Sequence, residues 1–168
     1  MQGSIDPAFG SRLANAAVSI VLASVALLGL YVLQKRADTP EGGAAASSVW
    51  YVILCSVVYL SPRYVHDTFA SGVFRFQYLL WVFMIVVPLV ALQAGVPVYI
   101  FATRGNVGAL VGLFAATTLT FWGLLGTGGE SDILVGYPYA MFPAAVLIIS
   151  FTTGVDVATR KVTNRVGT

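Results

Sequence analysis

Five long apolar runs, separated by short polar stretches, set the pattern of this chain. Leu13 to Leu33 passes without a charge and stops at Lys35-Arg36. An α-helix of about 20 apolar residues crosses a hydrocarbon layer of about 30 Å, so a first span is predicted over 13–34. Asp38, Pro40, Glu41 and two glycines favour turn or solvent and predict a loop over 37–43. A second and shortest span follows over 44–61, closed by Pro62-Arg63. The third covers 73–96 and is expected to bend at Pro88, which lacks a donor and crowds the preceding turn. Pro97 to Asn106, with Arg104-Gly105-Asn106, reads as a turn, and a fourth span over 107–126 ends in Gly126-Thr127-Gly128-Gly129. The acidic turn Glu130-Ser131-Asp132 leads into a fifth span over 133–155, with Pro138 and Pro143 in its first half. Residues 1–12, small and turn-forming, read as an expression-tag remnant outside the fold. The expectation is an all-α, polytopic transmembrane helical bundle of about five spans, with residues 13–168 as one membrane domain.

Composition agrees with that pattern. Hydrophobic residues make up 58% of the chain and charged residues 10%, against about 25% charged in a soluble domain. A net charge of +2, scattered along the chain, forms no basic face, and nucleic acid is not expected as a partner. Cys55 is the only cysteine and His66 the only histidine, so neither an internal disulfide nor a cysteine-based metal centre can be built, and no cofactor is expected. The expected partners are the lipid bilayer itself and either a second copy or another membrane chain. Basic residues concentrate on the cytoplasmic side of spans. With the N-terminus outside, Lys35, Arg36, Arg104, Arg160, Lys161 and Arg165 fall inside, and Arg12, Arg63 and Arg75 outside. An integral protein of a plasma or inner membrane is expected, with its C-terminus cytoplasmic.

Ionisable groups within spans are functional candidates because lipid makes them costly. Only Arg75 and Asp156 lie in or near a span. Arg75 reads either as an anchor reaching the headgroups or as the centre of an outer cluster with Tyr64, His66, Asp67 and Tyr78. Asp156 reads as a solvated helix end beside Arg160, and His66 next to Asp67 as a loop histidine that could respond to pH. The plentiful serines and threonines have no histidine, lysine or carboxylate beside them in the bilayer to activate them, so no enzyme activity is expected. Gly108 and Gly112, with Ala109, Ala115 and Ala116, form a small-residue face for close helix approach, serving internal packing or self-association.

The order of these features resembles helices one to five of the microbial rhodopsins. The resemblance rests on Leu30-Tyr31-Val32-Leu33-Gln34-Lys35-Arg36 at the end of span one. It continues in Val73-Phe74-Arg75-Phe76-Gln77-Tyr78 at the start of span three and in Gly123-Leu124-Leu125-Gly126 before the outer turn. It implies an outside N-terminus and a rhodopsin-like sensor remnant. Covalent retinal chemistry and ion pumping are not implied: Tyr78 stands where that family has its counter-ion carboxylate, and Pro88 falls later than that family's helix-three proline. The last two helices and their retinal lysine have no counterpart, while Lys35 and Lys161 flank spans.

The function expected from the residues is a non-enzymatic bundle that binds an apolar small molecule, a lipid or a partner helix. Its candidate ligand-binding residues are Arg75, Tyr78, Trp81, Trp122, Tyr137 and Tyr139, with Phe83 as a further wall. The alternative is a small transporter or channel subunit that assembles through the Gly108/Gly112 face, with Gln77, Gln93, Thr117 and Thr120 lining a route.

Overall fold

A computed structural model describes residues 6–66, 69, 75–127 and 133–166. The fold is all-α, and among the described residues five helices are long and apolar enough to cross a membrane: α1 Arg12–Arg36, α2 Pro40–His66, α3 Phe76–Arg104, α4 Val107–Leu124 and α5 over residues 133–166. Large apolar side chains are exposed on every helix, among them Leu28, Ile53, Met84, Val111 and Leu147. A water-soluble monomer does not display so much contiguous apolar surface, and lipid is the solvent that suits it.

The helices run past the limits that charge alone indicates. The expected loop over 37–43 shrinks to three residues, because Thr39 caps α2 by accepting from Gly42 N at 3.0 Å and Pro40 opens the helix. Proline suits a first turn where its missing N–H costs nothing, and Glu41 there faces the positive end of the helix dipole. α2 is therefore 27 residues long instead of the shortest span; α4, with 18, is shorter. α3 continues through Pro97 to Arg104, and the expected turn contracts to Gly105, in the left-handed region at φ 60°, and Asn106, whose side chain caps α4 at Ala109 N. α5 carries on to Val166, with Asp156 and Arg160 paired one turn apart. The amino-terminal segment is also part of the fold: Asp6–Pro7 pairs antiparallel with Gly126–Thr127, and Ala8 N donates to Leu125 O.

α4 is the central helix, packed against α5, α1 and α3 and touching α2. Its Gly108 and Gly112 face α5 directly: a methyl group on Gly112 would meet Ile149 Cα at 2.7 Å and collide with Thr152, and one on Gly108 would collide with the Thr152 carbonyl. The small-residue face is thus occupied within the chain. Assembly of copies through it, as the transporter alternative requires, would have to displace α5.

Two π turns interrupt the helices, at Val82–Val86 in α3 and Tyr137–Met141 in α5. Each stands just before a proline, Pro88 or Pro143. A helical proline clashes with the carbonyl four residues before it. For Pro88 that carbonyl belongs to Met84, and for Pro143 to Tyr139, the middle residue of each π turn. Widening the turn relieves the clash, and the ladder closes instead by Val87 N to Val82 O and Phe142 N to Tyr137 O. The bend expected at Pro88 is accordingly an insertion in the turn before it, and the two widened turns touch each other across the bundle.

Candidate binding site

Beside these π turns lies the polar centre of the molecule. Gln93 of α3 is buried, and its Nε2 donates to Tyr51 OH of α2 and to Thr120 Oγ1 of α4, each at 3.0 Å. The Tyr137 hydroxyl of α5 donates to Gln93 Oε1. One amide therefore ties four helices together, and both its protons and its carbonyl are used. Each of these residues lies on the inward stripe of its helix: Tyr51 follows Ser47 and precedes Cys55 at four-residue spacing, and Thr120 follows Thr117 by three. Buried polar groups in lipid must find partners inside the protein, and this constellation supplies them.

Next to Thr120 and Tyr137 is a cavity of about 190 Å³. Its walls come from Val52, Cys55 and Tyr59 of α2, from Tyr78, Val82, Val86 and Val90 of α3, and from Leu124 and Leu134 of α4 and α5. The first π turn contributes Val82, Phe83 and Val86, and the second contributes Tyr137, so the cavity sits where the helices are widened. Phe83 and Leu60 also line it and are exposed, which opens one side of the cavity towards the lipid-facing surface. Such a chamber, apolar in its walls and polar at one place, is the usual form of a small-molecule site. For scale, a cavity of about 150 Å³ already accepts a benzene ring.

The structure brings together some of the candidate residues and separates others. Tyr78 and Tyr137 share the cavity, and Trp81 lies against the Tyr78 ring, with centroids 6.3 Å apart, at the edge of the core. Arg75 is exposed as the residue that precedes α3, and Tyr139 is exposed on the outer surface of its π turn. Trp122 lines a different cavity of about 230 Å³ with Arg12, Asn15 and Met141. Gln93, Thr117 and Thr120 lie together in the core, whereas Gln77 is exposed at the start of α3. Tyr64 and His66 are exposed at the end of α2, and Asp67 lies outside the described residues. Asp156 forms more than a solvated end: besides pairing with Arg160 at 3.1 Å, it accepts from Gly108 N at 3.3 Å, at the start of α4.

Two polar residues at the other end of α4 have roles that their spacing does not announce. Arg63 is only 6% exposed; its guanidinium donates to Tyr59 O, Leu124 O and Gly126 O at 2.9–3.0 Å and lies 3.9 Å over the Tyr59 ring. Asn15 is buried and donates to Leu125 O while accepting from Phe9 N. The last carbonyls of a helix have no partners within it, and a cation there also meets the negative end of the dipole. Arg63 and Asn15 supply those partners from α2 and α1. Asn15 starts the buried stripe Asn15, Ser19, Ala23, Ala26 and Leu30, a small-residue periodicity that could have marked it.

Comparison with models of known protein families, with characterised proteins and with solved structures finds no match to this chain.

Proposed function

We propose that this protein is a non-enzymatic integral membrane bundle that binds a small apolar molecule in the 190 Å³ cavity. The observation that carries the reading is the cavity itself, framed by two π turns that each precede a proline and set beside the hydrogen-bonded Gln93 centre. π turns are conformationally expensive and concentrate at functional positions, and here both face the same chamber. The exposed rim at Phe83 and Leu60 lets a ligand enter from the hydrocarbon layer without crossing water.

The proposed orientation places the N-terminus outside. Lys35, Arg36, Arg104 and Arg160 gather at one end, where Arg160 donates to the Gly105 carbonyl. Arg63, nominally one of three basic residues at the opposite end, is spent on helix carbonyls and does not meet headgroups, which sharpens the imbalance.

Native mass spectrometry from mild detergent tests the binding reading. The wild-type chain is expected to carry a defined added mass, and Val86→Phe, which places a ring into the chamber, is expected to lose it. An added mass that persists unchanged in the filled variant would place any ligand elsewhere.

A further inference from the structure

A second hollow lies between α3 and α5 and shares no wall residue with the chamber. Its volume is about 480 Å³, and its walls include Val96 and Ile100 of α3 with Phe142, Val146, Ile149 and Gly154 of α5. Val96 and Val146 are exposed on its rim, so it is a groove open to the lipid-facing surface. From Phe142 to Gly154, at 1.5 Å per residue, it measures about 18 Å. That is close to one leaflet's share of a hydrocarbon layer of about 30 Å. Hydrocarbon fills such a groove, because a void forfeits the contacts of its walls, and which lipid stays is decided at the groove's end.

One end is basic. Arg104 follows Ile100 by four residues and continues the wall stripe of α3 by one helical turn. Arg160 of α5 reaches across to the end of α3, where it donates to Arg104 O at 3.5 Å and to Gly105 O. Lys161 stands beside it in the chain, about two turns beyond Gly154 on the same side of α5. Asp156 is the acid at this end, and it is occupied: it pairs with Arg160 and accepts from Gly108 N of α4. Arg104 and Lys161 are exposed, and among the described residues no carboxylate pairs with either.

We propose that the α3–α5 groove holds one anionic phospholipid, with an acyl chain along the groove and its phosphate at Arg104 and Lys161. Charge complementarity and length carry the assignment together. Basic pockets between membrane helices hold anionic headgroups, and each cation near the surface adds to the attraction. A zwitterionic lipid fills the groove equally well with its chain, but its own cation offsets its phosphate at the basic end. The lipid site does not depend on the chamber or on the small molecule proposed for it.

The delipidated full chain in mild detergent is titrated with dioleoylphosphatidylglycerol or dioleoylphosphatidylcholine, and retained lipid is counted by native mass spectrometry. One phosphatidylglycerol is expected to be retained at about one tenth the concentration that phosphatidylcholine requires, the share of two partly solvated cations. Arg104→Gln with Lys161→Gln is expected to bring the two lipids together. Lys35→Gln with Arg36→Gln removes the same charge from the same end, away from the groove, and is expected to leave the preference intact. A Cβ on Gly154 meets no atom within 4 Å, so Gly154→Phe has room to fold while its ring fills the groove. That variant is expected to lose the phosphatidylglycerol although every cation remains. Equal retention of the two lipids by the unaltered chain overturns the proposal, and so does an equal fall in both charge variants or retention that survives Gly154→Phe. A dimer that Gly154→Phe dissociates, with no preference between lipids, gives the groove to a second copy and overturns it too. Val86→Phe in the chamber is expected to leave lipid retention unchanged, so the two sites are read separately.

Discussion

The face of α4 that carries Gly108 and Gly112 meets α5 with no room for a methyl group, whereas the face that carries Thr120 and Leu124 borders a cavity of about 190 Å³. The close side joins two regular helical stretches through glycine, so backbone lies on backbone. On the open side both neighbours, α3 and α5, are widened by π turns, and their side chains cannot close the gap. The same helix α5 belongs to both regions: its regular part, at Ile149 and Thr152, seals the seam, and its widened part, at Tyr137, frames the chamber. In lipid no hydrophobic effect drives helices together, so close packing has to supply cohesion. A seam of glycines at one place offsets the packing given up around a chamber at another.

Breaking the seam is expected to have the largest effect. Gly112→Leu forces a branched side chain into Ile149 and Thr152 and should destabilise the bundle by about 3 kcal/mol, the upper range for overpacking. Thermal unfolding in detergent would check it, and a value near zero would mean that α5 can move away freely. Arg63→Met comes next, at about 2 kcal/mol: the Leu124 and Gly126 carbonyls lose their partner, partly offset because a buried cation no longer has to be desolvated. Gln93→Leu should cost about 2 kcal/mol as well, since Tyr51, Thr120 and Tyr137 all lose the amide that links them. The two can be told apart by hydrogen exchange. Arg63→Met should release amides at the end of α4, and Gln93→Leu those around the chamber.

The five spans were legible because charge is excluded from them, and the sequence places every one in its proper order. Their ends were less so. Charge-free length sets aside Pro40-Glu41 as loop, although Thr39-Pro40 is a helix-start signal, and it reads Pro97 as a break although lipid-embedded helices tolerate proline. In the site, Tyr78, Tyr137, Gln93 and Thr120 all stand out as aromatic or polar positions in apolar runs. What composition cannot give is that the Gln93 amide joins Thr120 and Tyr137 with Tyr51, because that depends on four helices meeting at one depth. Arg63 shows the same limit: the charge count places it outside at the end of a span, while the Leu124 and Gly126 carbonyls hold it buried.

The smallest expected change in stability concerns the prolines, and it sharpens the comparison most. Pro143 is exposed, so Pro143→Ala removes little packing and restores a donor to α5, with a net effect within about 1 kcal/mol. The consequence for geometry is larger. Without the ring there is no clash at the Tyr139 carbonyl, and the turn at Tyr137–Met141 is free to close to ordinary α geometry. Closing a π turn removes one residue from the ladder, which rotates the part of α5 before it by about 100° and carries Tyr137 away from Gln93. Pro88→Ala acts in the same way on Val82 and Val86 in the opposite wall. The double variant is therefore expected to keep its helicity and its glycine seam yet lose the added mass seen with the wild-type chain in native mass spectrometry. If helicity and added mass are both retained, the packing around Gln93 holds the turns open without the prolines, and the hydrogen-bonded centre, not the ring clash, is what shapes the chamber.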